Sequence, residues 1–344
     1  MKAVKRFCAV VVGIVLFVAG ILKLMDPVGA GLVVNEYFNF LHLGFMALLS
    51  KAVGVGMALL ETLLGAALVT GVVPRITGIV SAVVLGLFSL LTLVLWIVNP
   101  AMDCGCFGEA VHLTHFQSFL KNVVLCALCA VAFLPPGSMP LPKKDKVVAF
   151  AIAALSVIAF TVYSLISIPP LDFTPFKPGK TLMQAQAYPD SDAPVLSICD
   201  AEGEYCDELL VSGPVLVLSV FDKLPESASC KLRDAAESAA DGLRVMLVDA
   251  SGMMEKADFS SDRRTLMSLN RSNGGATLLR DGMVVAKWPH RSLPSQELLS
   301  ELMAQEPAEA MVQQNTPNYK WLAGVIMAMC VDGGLLVMEL LMTH

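Results

Sequence analysis

Charge is what this chain has least of. Only 16% of its 344 residues are Asp, Glu, Lys or Arg, against 56% hydrophobic, too apolar for an ordinary soluble protein. The little charge present sums to −6 with no basic stripe, which argues against nucleic-acid binding. No glycine-rich phosphate loop, Ser/His/Asp array or pair of catalytic carboxylates is evident, so those chemistries have no carrier. Lys and Arg are missing altogether from residues 26–50 and 99–118.

The apolar residues come in blocks. Runs of about 18 or more residues with almost no charge mark membrane-spanning candidates, and six occur, at 7–25, 52–73, 76–98, 119–134, 147–168 and 321–342. The stretch 169–320 holds most of the charge and no such run, so it reads as one soluble domain. Lys2, Lys5 and Arg6 precede the first run, as in a signal peptide. Its apolar part is longer than a signal core and no small-x-small cleavage site follows, so it reads as a retained helix.

Basic residues are kept on the cytoplasmic side. Besides the N-terminal three, Arg75 lies between runs two and three, and Lys143, Lys144 and Lys146 between runs four and five. Both termini are then expected in the cytoplasm. The Lys/Arg-free stretches and the soluble domain are expected outside, which in a bacterium is the oxidising periplasm.

Nine cysteines are few for this length, so their placement matters most. Asp103-Cys104-Gly105-Cys106-Phe107-Gly108 falls in the polar gap before the fourth run. Two cysteines one residue apart form a small, strained disulfide, which is easily reduced and suits electron exchange. Two other readings stay open: a static disulfide, and a soft-metal site with His112 and His115, although that spacing is tighter than the usual zinc pattern. Cys126 and Cys129 share a helix face, and with a helix start at Phe119 Cys126 lies about 10 Å deep at 1.5 Å per residue. They form a candidate relay that a lipid quinone could reach, or ordinary packing. Cys8 and Cys330 lie inside apolar runs as filler. Glu61 sits within the second run, where a carboxylate is costly unless paired or protonated. Lys23, at the end of the first run, is the nearest partner by depth.

Gly20-Ile21-Leu22-Lys23-Leu24-Met25-Asp26-Pro27, Glu61 with Gly65, and Asp103-Cys104-Gly105-Cys106-Phe107-Gly108 resemble the DoxX/MauE group of membrane proteins over residues 1–135. The Cys-Gly-Cys-Phe-Gly element is similar to the methylamine-utilisation MauE branch. The resemblance implies a four-helix membrane bundle tied to periplasmic redox or disulfide chemistry, reminiscent of the vitamin K epoxide reductase bundle, with Cys104 and Cys106 as the redox pair. The whole layout resembles a fusion type common in Bacteroidetes, in which a DoxX-like bundle and a fifth helix precede an outer domain. Pro170-Leu171-Asp172-Phe173 and Leu279-Arg280-Asp281-Gly282 carry that likeness.

In the soluble part, strands are expected at 195–198, 214–221 and 243–248, and helices over 231–240 and closing at 266–270. Asp281-Gly282 between 276–279 and 283–287 signals a hairpin. Alternating β and α segments with a terminal hairpin resemble a thioredoxin-like domain. The stretch after its central strand, Phe221 to Cys230, holds one cysteine and no Cys-x-x-Cys, so an independent dithiol cycle is not expected. Cys199 and Cys206 bracket a polar turn and are expected to form a structural disulfide.

The expected protein is thus a multi-pass α-helical membrane protein with an α/β thioredoxin-like domain, in the bacterial inner membrane. Its regions are a bundle (1–135), a cytoplasmic loop with a fifth helix (136–168), a periplasmic domain (169–320) and a C-terminal helix (321–344). Two functions fit. One is thiol–disulfide exchange through Cys104 and Cys106 with a partner protein or quinone. The other is a non-enzymatic scaffold whose outer domain recruits an envelope partner.

Overall fold

A computed structural model describes residues 2–100, 102–134, 143–166, 172–182, 194–238, 240, 242–250 and 257–315. The sixth apolar run, Cys330 and the Pro170-Leu171 element lie outside the described residues. The chain divides into two compact units at residue 166.

The first unit is helical. It comprises α1 (Lys2–Met25), α2 (Pro27–Phe40), α3 (Ser50–Thr70), α4 (Pro74–Val98), a short strand β1 (Cys106–Glu109), α5 (His115–Phe133) and α6 (Lys144–Ile166). Among the described residues, five helical stretches are long and apolar enough to cross a membrane: Ala3–Met25, Gly44–Thr70, Pro74–Val98, His115–Phe133 and Lys144–Ile166. This is a multi-pass membrane region. Local sequence explains the helix starts. Asp26 caps α2 by accepting from the Gly29 amide at 2.9 Å, with Pro27 in the first turn. Pro74 opens α4, and Thr114 with Gln117 forms a capping box on α5. The Lys/Arg-free stretch 26–50 is not simply a connecting loop, because the Asp-Pro cap and the following small and apolar residues build α2 and a 3₁₀ turn (Gly44–Leu49).

The α1–α3 contact is the tightest in the bundle. A Cβ at Gly65 would come 2.5 Å from the Phe17 amide nitrogen and 2.6 Å from the Gly13 carbonyl oxygen. Backbones this close need small residues, the usual basis of helix association in lipid. Val12, Leu16, Leu64, Leu68, Leu85 and Leu125 fill the space toward α4 and α5. Val157 of α6 joins Leu24 and Ala58, so the fifth apolar helix belongs to this unit. At the far end, the Arg6 guanidinium donates to the Leu68 carbonyl at 2.8 Å and to that of Val69, closing α3.

The second unit is a mixed sheet with helices. Its elements are α7 (Glu208–Val211), β2 (Pro214–Val220), α8 (Glu226–Glu237), β3 (Arg244–Asp249), β4 (Phe259–Ser260), α9 (Arg263–Leu269), β5 (Gly275–Arg280), β6 (Met283–Trp288), α10 (Gln296–Ala304) and α11 (Pro307–Asn315). The strand order is β4-β3-β2-β5-β6. β2, β3 and β4 run parallel, and β5 and β6 antiparallel. Residues 215–220 of the central strand β2 are all buried, as a strand covered on both faces requires. The hairpin turns at Asp281-Gly282, both at positive φ. Lys287 pairs with Asp172 at 2.6 Å, both largely buried, tying the start of the unit to β6.

Two expectations need correction. Residues 195–198 form no regular strand. The Ile198 amide goes to the Asp207 carboxylate at 2.9 Å, and pairing is confined to isolated bridges from Cys199 to Tyr205 and Ser260. The helix expected from 231 begins at Glu226 instead, so Cys230 lies within α8.

If close backbone approach holds α1 to α3, Gly65→Val lowers the melting temperature of the purified protein in detergent. Gly56→Val, at a glycine of α3 with open space around it, leaves it near the parent value.

Candidate functional site

The Cys-Gly-Cys loop is held from three sides. Cys104 is buried. Its sulfur lies 2.7 Å from the Ser118 hydroxyl at the start of α5 and 3.2 Å from the Leu113 carbonyl, and the Tyr37 hydroxyl of α2 donates to its carbonyl. Gly105 has φ +59, and a Cβ there would collide with Val33 of α2, so the turn between the two cysteines admits only glycine. Cys106 is half-buried, and both cysteines are free thiols within hydrogen-bonding reach of each other.

Beneath the loop is a cavity of about 60 Å³, lined among others by Lys23, Tyr37, Glu61, Cys104, Cys106 and Lys121. It has room for a few waters. The Lys23 ammonium donates to both Glu61 carboxylate oxygens, at 2.6 and 2.8 Å, with Glu61 almost fully buried. Lys121 reaches the cavity from α5, its ammonium 4.8 Å from the centre of the Phe107 ring.

This setting makes the two thiols unequal. A hydrogen bond from Cys104, aided by the Lys121 and Lys23 charges and opposed by burial, pulls the Cys106 thiol well below its ordinary pKa. The same hydrogen bond, burial and the charge on Cys106 push the Cys104 thiol up. Burial, with the neighbouring thiols, keeps the Tyr37 hydroxyl protonated so that it can donate. The lowered thiol is the more nucleophilic of such a pair.

Residues 1–135 match the family model of methylamine utilisation protein MauE. No curated protein and no solved structure matches the chain. The MauE match supports placing the membrane region in the MauE/DoxX group. It spans Lys23, Glu61, the cysteine loop and α5, and stops before α6 and the second unit.

The remaining candidates are placed as follows. His112 turns to Asp103 at 3.2 Å and His115 to the Pro100 carbonyl at 3.1 Å, so neither joins Cys104 and Cys106. No cluster of three or more metal-ligating side chains occurs among the described residues. Cys126 lies 3.4 Å from the Ser89 hydroxyl and Cys129 is buried. Both border a second, larger cavity with Lys5, Arg6 and Arg75, separate from the one under the loop. Cys8 packs against Ala9 and Ala132.

In the second unit, Cys199 and Cys206 flank the turn 200–205 as free thiols, with the Cys206 amide bonded to the Ile198 carbonyl at 2.9 Å. Cys230 is exposed. The segment after β2 is pinned, because Asn273 Oδ1 accepts from the Phe221 and Asp222 amides at 2.8 and 3.1 Å. Its Nδ2 donates to the Asp222 carbonyl at 2.8 Å, and Arg263 forks onto the Asp222 carboxylate.

Sequence reasoning missed Tyr37, Ser118 and Lys121. Lys121 carried a signal, a lone cation inside an otherwise apolar run. The other two had none, since their partners come from distant segments.

Two outcomes follow. Thiolate is the reactive form, so a depressed Cys106 alkylates with a midpoint well below the usual thiol value of about 8.5. Cys104 stays slow across neutral pH, as peptide mapping after iodoacetamide labelling at graded pH would record. Lys23→Met strands a buried carboxylate and costs about 3–5 kcal/mol. Lys23→Met/Glu61→Leu recovers most of that loss in thermal unfolding.

Proposed function

We propose that this protein exchanges electrons between the Cys104/Cys106 pair and a partner protein's dithiol or disulfide at the outer face of a bacterial inner membrane. The observation that carries this reading is the asymmetric thiol pair: one sulfur buried and held by Ser118, the other half-buried over a cavity with two lysines. The membrane region's MauE match supports the setting. Both termini are taken as cytoplasmic from the distribution of Lys and Arg, with the second unit periplasmic.

The step balances within the pair and its partner. The Cys106 thiolate attacks one sulfur of a partner disulfide, a mixed S–S bond forms, and the partner's other sulfur leaves as thiolate. Cys104 then gives up its proton and attacks the Cys106 sulfur. The Cys104–Cys106 disulfide closes and the second partner sulfur leaves, taking up that proton. Two electrons have passed to the partner, and the reverse sequence oxidises it.

The second unit is read as a thioredoxin-like domain without its own dithiol, serving to recruit the partner. The parallel strands beside an antiparallel hairpin support that reading, as does Asn273 pinning the segment where a redox pair would stand. Cys199 and Cys206, free thiols on either side of the 200–205 turn in this structure, are assigned to a structural staple that forms on oxidation at the outer face. The same pinned segment favours a second reading, in which the protein is a non-enzymatic scaffold.

Thiol trapping in intact cells separates the two. Under exchange, Cys104→Ser accumulates a reductant-sensitive adduct through Cys106, while Cys106→Ser accumulates none. A wild-type pair that stays oxidised until harsh reduction, with no adduct in either variant, defeats exchange. The scaffold reading expects function to survive Cys104→Ser/Cys106→Ser and to be lost on deleting 169–320.

A further inference from the structure

The charges around the cavity do not cancel, and the surplus points at one residue. The titratable and charged groups facing Cys106 are Lys23 from α1, Tyr37 from α2, Glu61 from α3, Cys104 and Asp103 from its own loop, and Lys121 from α5. The α4 residues lining the cavity are Leu85, Phe88, Leu91 and Thr92, none of them charged. Tyr37 is a neutral donor to the Cys104 carbonyl. Asp103 is exposed and pairs with His112. That leaves two ammoniums and one carboxylate inside. Both Glu61 oxygens are committed to Lys23, and among the described residues no carboxylate pairs with Lys121. Its ammonium sits over the face of Phe107, the residue after Cys106, and its charge reaches both Glu61 and Cys106. Lys121 also lies three residues after Ser118, on the same face of α5, so the helix that holds the Cys104 sulfur delivers this ammonium beside Cys106.

We propose that Lys121 is the counter-ion that holds Cys106 as the attacking thiolate, a positioning residue for the exchange step. A single negative sulfur balances the cavity, with Lys23 on Glu61 and Lys121 on Cys106. Low-dielectric helix walls make that attraction stronger than the same pair in water. Closing the Cys104–Cys106 disulfide removes the negative charge and leaves Lys121 uncompensated. Lys121 thereby stabilises the reduced form and makes the pair more oxidising. The inference rests on the exchange reading for its function, but the ion pair is testable without it.

The experiment is the pH profile of Cys106 alkylation in the full-length protein in detergent, read by mass spectrometry of the Cys106 peptide, for wild type, Lys121→Met and Lys121→Arg. Losing the counter-ion moves the midpoint up by a pH unit or more, so labelling well below the midpoint slows about tenfold, while Lys121→Arg keeps the wild-type midpoint. If Lys121→Met is not recovered folded, Lys121→Gln is read in its place. A merely structural lysine would change yield or melting temperature and leave the midpoint still. An unmoved midpoint in the folded variant overturns the assignment even where mixed disulfides with a partner are trapped. A moved midpoint in a protein that traps no partner upholds the ion pair and defeats the exchange reading instead.

Discussion

The buried pair of Lys23 and Glu61 is the constraint around which the membrane unit is arranged. A carboxylate inside an apolar helix is tolerated only with a partner, and the partner must come from another helix at the same depth. Lys23 in the last turn of α1 meets that need only because α1 and α3 approach to backbone contact at Gly13, Gly20 and Gly65. Small-residue packing and the ion pair therefore depend on each other. With larger residues the helices would separate, and without the pair the charge would have no place in the bundle.

That pair also forms the floor of the cysteine site. The loop closes over it because Gly105 turns tightly against Val33 of α2 and Ser118 of α5 takes the Cys104 sulfur. Helices α1, α2, α3 and α5 thus converge around the two sulfurs, Lys23 and Lys121 bringing cations, Glu61 a carboxylate, and Tyr37 and Ser118 hydroxyls. Electrostatics at such a point works at short range in a poorly solvated space, where one unbalanced charge matters far more than on a protein surface.

The two units divide the chemistry unequally. The membrane unit has a paired set of thiols in a polarised setting. The second unit has a well-packed mixed sheet, built on β2 and covered on both faces, but its sulfur atoms are scattered. Where the chain leaves β2, side-chain hydrogen bonds from Asn273 and an ion pair from Arg263 lock the backbone.

The five described spans, the hairpin at Asp281-Gly282 and the central strand at 214–220 were legible in the sequence. Each is a local pattern: an apolar run, a turn dipeptide, a stretch of β-branched and aliphatic residues. The cysteine loop was legible too, as two sulfurs one residue apart beside a span. Helix α2 was not, because absence of Lys and Arg describes topology and says nothing about backbone conformation. Nor was the irregular course of 195–198, where the Asp207 carboxylate takes an amide that a strand partner would need. By itself, the sequence determined which segments are apolar enough to enter a membrane and which residue types stand beside the thiols. Only the tertiary structure decided that Lys23 reaches both Glu61 oxygens and that Lys121 lines the same cavity as Cys106, because charge placement depends on distances between helices far apart along the chain.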